Sequence, residues 1–340
     1  MSRSFLETHS KAPTPGSEAC PERSRRILRR PGFFLSRAQK NPGRREYAPN
    51  PAWGLTQFLS IIALCLSFAS NITSAAPTTR PTIFICGDST AKNTGKDKAG
   101  QPLQGWGTAI AAYFDPAKVA VENVAHAGKS SMTYYNGDWP SVLPRIHAGD
   151  YLLLVFGIND GTTPDGLGDE TREGRNGDLQ HTYGWYMSKM ATDAQAKGAH
   201  VFLLTVTTRN IWTNPKVRYH DGTPATTLPA DYDPKQDRIE RGTGGGKYTQ
   251  WTKEIGQRLH IPVFDLTNYC ADRYEQMGRE AVNRLYSDHN HTYPPGADLV
   301  AQSIVSGLKA LKDSPFVDLL SEKGKAPPPA SAKYVNDNAP

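Results

Sequence analysis

Ile83-Phe84-Ile85-Cys86-Gly87-Asp88-Ser89-Thr90-Ala91 is the stretch on which the fold turns. Ile83 to Cys86 is a continuous apolar run of strand-prone residues, the pattern of a strand buried on both faces. Gly87 and Asp88 interrupt it, and the polar residues that follow suit a turn into a helix start. Ser89 is thereby predicted at the carboxyl edge of a sheet. In an open parallel sheet, that edge borders the ligand crevice.

The same pattern recurs along the chain. Apolar, β-branched runs at 83–86, 119–124, 151–156, 201–206 and 262–266 predict five strands. Helical patterns over 106–114, 139–146, 181–197, 248–259 and 296–311 alternate with them. Alternation of this kind predicts one α/β domain, a parallel sheet with helices on both faces. Between Asn210 and Lys247 the periodicity stops, and a long surface loop is expected on the rim that carries Ser89.

The ends of the chain read differently. Residues 1–75 hold 11 Lys and Arg against 4 Asp and Glu, while the whole chain holds 39 against 33. The remainder is therefore 28 against 29, a net charge of −1, so the basic surplus sits in the leader and nucleic acid is not an expected partner. Within the leader, 58–70 is a nearly unbroken apolar run with Arg44 and Arg45 upstream and the small residues Thr73-Ser74-Ala75 downstream. That is the layout of a secretory signal cut near Ala75, and the run is shorter than the ~20 residues of a spanning helix. The expected product is secreted or periplasmic, with no stable membrane insertion. The organisation is thus a leader over 1–75, whose upstream part is read as disordered, a catalytic domain over 76–312 and a solvated, disordered tail over 313–340. Of four cysteines, only Cys86 and Cys270 lie outside the leader, too few for a disulfide framework.

Four predicted strand-end segments hold chemistry. They are Gly87-Asp88-Ser89, Ala127-Gly128-Lys129-Ser130, Gly157-Ile158-Asn159-Asp160-Gly161 and, before the last helix, Asp288-His289-Asn290-His291. Asp288 and His291 stand three apart, so the carboxylate can bond one imidazole nitrogen and leave the other to face Ser89. Backbone N–H groups of Ser89 and Gly128 and the side-chain amide of Asn159 are candidate oxyanion donors. Asp288, His289 and His291 could alternatively bind a metal, although no further His or Cys cluster completes such a site.

These blocks resemble the SGNH hydrolases, or GDSL esterases, through Ser89, Gly128, Asn159 and His291 in that order. More narrowly, Gly87-Asp88-Ser89-Thr90-Ala91-Lys92-Asn93, Gly105-Trp106-Gly107, Ala127-Gly128-Lys129-Ser130-Ser131 and Asp288-His289-Asn290-His291-Thr292 resemble the rhamnogalacturonan acetylesterases. The resemblance spans about 82–311. It implies a flavodoxin-like three-layer α/β/α fold around a five-stranded parallel sheet, and metal-free, cofactor-free removal of acetyl groups from the rhamnogalacturonan of pectin. The expected partner is an acetylated polysaccharide or oligosaccharide.

Two departures from the family pattern stand out. Ile158 occupies the place usually held by His before Asn-Asp, and the 210–247 excursion exceeds the compact form of the family. Substrate contacts in that excursion must therefore be read from its own residues, where Arg209, Trp212 and Arg241 are the candidates, as cations for an acidic sugar and a platform for stacking. Acetylated xylan or another neutral glycan, and a non-catalytic carbohydrate-binding module, are the competing readings.

Overall fold

In the computed structural model, which describes residues 80–336 except 93–94, 175–176, 221–222 and 225–226, the opening run forms strand β1 (Thr82–Cys86). The strands that join it are β2 (Ala120–Asn123), β3 (Tyr151–Leu154), β4 (His200–Leu204), β5 (Val263–Phe264) and β6 (Val335–Asn336). Their spatial order is β2-β1-β3-β4-β5-β6, with β1 to β5 parallel and β6 antiparallel at the edge. The first five follow the flavodoxin-like 2-1-3-4-5 order.

Side-chain alternation explains why helices cover both faces. Ile83, Ile85, Leu153 and Leu204 point into one core, while Phe84, Cys86, Leu152, Leu154 and Leu203 point into the other. The first core is closed by α1 (Trp106–Ala109), α6 (Leu266–Met277) and α8 (Pro294–Lys309), through Trp106, Tyr274, Ile304 and their neighbours. The second is closed by α3 (Trp139–Val142), α4 (Tyr183–Ala196) and α5 (Lys247–Leu259), through Trp139, Met187 and Ile255. Helices α2 (Ser131–Gly137), α7 (Arg279–Asn283) and α9 (Glu322–Lys325) complete the α/β/α sandwich. Cys86 and Cys270 are buried free thiols in opposite cores, which answers whether they pair.

The structure corrects several sequence expectations. Ser89 opens a single turn, in which the N–H groups of Ala91 and Lys92 both donate to the Asp88 carbonyl, rather than a helix. Among the described residues, the first helix begins only at Trp106. Helices α2, α6 and α7 also lie outside the predicted set. The 210–247 excursion is not patternless: Trp212–Thr213 pairs antiparallel with Arg238–Ile239, so its two ends are clasped together.

The tail is the largest correction. Residues 313–336 pack onto the domain instead of trailing into solvent, and β6 lengthens the sheet from five strands to six. Phe316 is fully buried against Phe114, Tyr151 and Phe202, and Leu320 lies in the same core. One aromatic ring placed in a gap outweighs the polar composition around it. Phe316→Ala is expected to cost about 3–5 kcal/mol, read as a lower urea midpoint without loss of the native state. A midpoint unchanged within error would return the tail to solvent. The leader, with its apolar run and the cleavage expected near Ala75, lies outside the described residues. Among the described residues, no helix is long and apolar enough to cross a membrane.

Candidate active site

Ser89 sits at the carboxyl end of β1 because the turn after Cys86 is pinned from below. Asp88, itself buried, accepts the Thr90 N–H at 2.9 Å and the Thr90 hydroxyl at 2.8 Å. Thr90 Oγ1 lies 3.2 Å from Thr207 Oγ1, which ties this turn to the exit of β4. Burial pushes the Asp88 carboxyl up to about 6 against the pull of the Thr90 donors; nearby Asp160 pushes it the same way and His291 opposes.

His291 reaches this turn from the loop ahead of α8. Its Nε2 is 3.0 Å from Ser89 Oγ, and its Nδ1 is 2.7 Å from Asp288 Oδ2. The other Asp288 oxygen accepts the N–H groups of Asn290 and His291, each at 2.7 Å, so the carboxylate is held by its own loop. A bridge between Tyr286 and Thr292 and the Ser287 N–H to His291 carbonyl bond close the loop into a narrow hairpin. Pro294 at the start of α8 ends it. Outside contacts fix its position: Thr292 exchanges hydrogen bonds with Gln104, the His289 carbonyl accepts from Asn210 N–H, and the Tyr286 hydroxyl donates to the Thr208 carbonyl.

The electrostatics follow from this packing. Partial burial alone would raise the Asp288 carboxyl, but hydrogen bonds from the His291 ring and two backbone N–H groups outweigh it and hold the group well below the usual carboxylate range. The Asp288 bond raises His291 above its ordinary value, partial burial opposes, and the charges of Asp288 and Asp88 reinforce the rise. An imidazole held in this way has one nitrogen committed to a carboxylate and the other aimed at a hydroxyl.

The remaining two blocks come from the exits of β2 and β3. The His126 N–H donates to the Gly87 carbonyl at 3.0 Å, laying the β2 exit against the β1 turn. Gly128 has φ +77, and a Cβ placed there would find nothing within 4 Å, so the residue needs its backbone freedom and borders open space. Asn159 has φ −103 and ψ 8, in the sparsely populated bridge region, and its amide donates to the Lys129 carbonyl at 3.1 Å. The second N–H of that amide is left for another acceptor. Asp160, fully buried, stitches the blocks: Oδ1 accepts the Ser131 N–H at 3.0 Å and the Ser131 and Thr163 hydroxyls. Its Oδ2 has no hydrogen-bond partner, and burial raises the carboxyl. Gly157 makes this crossing possible, with φ +131 and a would-be Cβ only 2.5 Å from Val206 Cγ2.

Residues 85–299 match the model of the GDSL-like lipase/acylhydrolase family. The chain belongs to that family. It is a carboxylic ester hydrolase. A rhamnogalacturonan acetylesterase from Emericella nidulans is 28% identical over 241 residues, covering 67% of this chain and 84% of that protein. The rhamnogalacturonan acetylesterase RhgT of Bacillus subtilis is 28% identical over 265 residues, covering 72% and 96%. The X-ray structure of the Bacillus subtilis protein YxiM is 23% identical with a TM-score of 0.49; the match takes in 68% of this chain and spans 57% of that one.

In this GDSL-like acylhydrolase, the residues expected to bind substrate from the excursion are otherwise engaged. Arg209 forms a two-pronged pair with Glu240, both contacts at 2.7 Å, and Arg241 pairs with Asp272 at 2.7 Å and Glu275 at 2.9 Å. Trp212 is 2% exposed and spends its N–H on Asn210, so it is a core residue and no stacking platform. Antiparallel pairing of the excursion's ends brings Glu240 to Arg209 and covers Trp212, while Arg241 lies against α6. Asp288 and His291 contact each other. Among the described residues, no three His, Cys, Asp or Glu side chains lie close enough to share an ion.

Sequence reasoning missed four contributors. Thr90 and Thr207 brace the Ser89 turn, and Asp160 braces the segments that carry Ser131 and Asn159; Thr90 and Asp160 lay in stretches already singled out, without a role assigned to either. His126, with no evident partner in sequence, meets Asp138 at 2.6 Å. Two open depressions of about 670 Å3 lie at the opposite, amino edge of the sheet, one against Arg145 and Asp150, the other against His200 and His260. Neither holds any of the residues above.

Proposed function

We propose that this esterase removes acetyl groups from plant cell-wall polysaccharide, with rhamnogalacturonan of pectin as its substrate, through an acetyl-enzyme intermediate. The observation that carries the reading is the continuous chain from Ser89 Oγ through His291 to Asp288, at 3.0 and 2.7 Å. Ser89 Oγ attacks the acetyl carbonyl as His291 Nε2 takes its proton, and Asp288 steadies the imidazolium that forms. The tetrahedral oxygen is held by the Ser89 and Gly128 N–H groups and the Asn159 amide. The sugar hydroxyl leaves with the proton from His291. Water, deprotonated by the same imidazole, then attacks the acetyl-Ser89 carbonyl and releases acetate.

The choice of polymer is supported by the two relatives named as rhamnogalacturonan acetylesterases, at 28% identity each. A fluorophosphonate probe should label Ser89, and acetate should be released faster from acetylated rhamnogalacturonan than from acetylated xylan. No labelling would leave a binding module, and the reverse preference would make the substrate a neutral glycan. Asn159→Ala is expected to lower kcat by about 10²–10³ through loss of one oxyanion donor, with little change in KM. A loss under tenfold in steady-state acetate release would remove Asn159 from that role.

Export completes the reading. It is supported by the apolar run at 58–70 and the small residues up to Ala75. Protein recovered from medium or periplasm should begin just after Ala75 on N-terminal sequencing, and recovery of a chain beginning at Met1 would reject cleavage.

A further inference from the structure

Four contacts run in chain order along 279–289, the segment that leads into the acid–base loop, and each comes from the 210–247 excursion or its root. Arg279, which opens α7, pairs with Asp237 at 3.4 Å, both side chains nearly closed to solvent. Asn283, which ends α7, accepts the Asn210 side-chain amide at 3.0 Å. The Tyr286 hydroxyl donates to the Thr208 carbonyl at 2.9 Å, and the His289 carbonyl, between Asp288 and His291, accepts the Asn210 N–H at 2.9 Å. Asn210 thus grips the loop at its stem and at its tip.

Asn210 is itself held from behind. It is 7% exposed, and its Oδ1 accepts the Trp212 indole N–H at 2.8 Å. Trp212 is fixed in turn by pairing with Ile239, and the Glu240 N–H donates to the Ile211 carbonyl at 2.8 Å. The return strand is anchored on α6, where Glu275 accepts the Ile239 N–H at 3.2 Å. A buried amide whose oxygen and nitrogen are both committed has one orientation. That orientation fixes the backbone of residue 210, and with it the N–H that reaches His289.

We infer that Asn210 is a positioning residue for His291 and that the excursion is the brace of the acid–base loop, a role that rests on the Ser89–His291–Asp288 reading above. Asp288 and His291 are bonded to each other within the loop, so the pair moves as a unit. Its 3.0 Å reach to Ser89 Oγ spans two chain-distant segments and depends on where the whole loop sits. Misplacement by about 1 Å at such a contact costs up to about 10²-fold in rate. Trp212 and Arg209, candidate sugar contacts in the sequence, both serve this brace: Trp212 holds the Asn210 amide, and Arg209 clamps Glu240 on the return strand.

Asn210→Ala, in the full chain, should lower kcat for a neutral aryl acetate by about tenfold with KM unchanged, because the bound ester is untouched. The rate of Ser89 labelling by a fluorophosphonate should fall in the same proportion, while the labelled fraction stays complete. The rising limb of the pH profile should stay where it is, since Asp288 still bonds His291. Trp212→Phe keeps a buried ring and drops the N–H to Asn210, so it should lower kcat about threefold with the same signature. Lys216→Ala, which breaks an exposed pair with Asp231 on the same excursion, should leave kcat unchanged. Wild-type rates in both Asn210→Ala and Trp212→Phe, a comparable loss in Lys216→Ala, or a labelled fraction that falls while the rate per labelled site holds would overturn the inference and leave Asn210 a stability residue. A limb displaced to lower pH would overturn it too, since the Asp288–His291 bond itself would then have been broken. If Asn210→Ala fails to fold, Trp212→Phe decides alone. Wild-type enzyme that neither labels at Ser89 nor hydrolyses the aryl acetate would remove the triad reading itself, a failure seen before any variant is made.

Discussion

Ser89→Ala should lower kcat for acetate release by about 10⁴–10⁶, with KM changed less than about threefold. The hydroxyl is the only atom removed, and its hydrogen bond to His291 Nε2 at 3.0 Å is the only side-chain contact Ser89 makes on this path. The backbone N–H of residue 89, Gly128 and Asn159 stay where they are, so carbonyl binding and some oxyanion stabilisation survive. That residue of function sets the floor of the loss, since donors alone still accelerate attack by water. Folding should be unaffected, because the turn is braced by Asp88, Thr90 and Thr207 and not by the Ser89 side chain. The measurement is steady-state acetate release paired with probe labelling; a variant that keeps more than a tenth of the activity would show that another group attacks.

Asp288→Asn should reduce kcat by about 10⁴, because the amide can present its N–H to Nδ1 and hold the imidazole in the wrong tautomer. The pH profile separates this from a folding defect. With neutral His291 as the proposed base, kcat/KM should rise with pH through the His291 ionisation, which the Asp288 bond holds above the ordinary histidine value. Loss of that carboxylate should move the rising limb to lower pH while the plateau falls. Buried Asp88, ionising at about 6, adds its own negative charge in the same window and pushes His291 the same way, so Asp88→Asn should shift the limb in the same direction without the large fall in plateau. An Asp288→Asn profile parallel to the wild type would detach Asp288 from the base.

The pair also couples to stability, with opposite signs at its two ends. A histidine raised in the folded state stabilises fully below its unfolded value and loses that contribution as pH climbs through the folded one. A depressed carboxylate contributes above its unfolded value near 3.9 and loses it as pH falls toward the folded one. Both groups are partly exposed, so solvent screening keeps the effect small. Urea midpoints for Asp288→Asn should therefore fall furthest below the wild type between the two unfolded values, with a smaller gap left above the His291 ionisation because the backbone N–H bonds to the carboxylate persist there.

How legible the site was depends on the range of each interaction. Ser89, Gly128 and Asn159 could be placed because each follows an apolar run within a few residues, and the strand-then-turn pattern is written locally. Asp288 and His291 could be paired because three residues separate them. Trp212 and the two arginines defied the same reasoning. An indole that opens an irregular stretch looks available for stacking until Arg238–Ile239, two dozen residues on, pairs with its strand and buries it. His126 and Lys129 had no partner assigned from sequence, because Asp138 reaches them only after α2 has turned the chain back.

The order of residues alone determined the α/β alternation, the carboxyl-edge position of the serine and the identity of its partners, because hydrophobic period and turn chemistry act over a few residues. Tertiary structure decided which charges pair with which, which aromatic rings are hidden, and that 313–336 adds a sixth strand and plugs the core with Phe316. Those outcomes depend on contacts between distant segments. A side chain's chemistry is visible in its name, but whether it faces water, a counter-charge or a core is settled only when the segment that will cover it arrives.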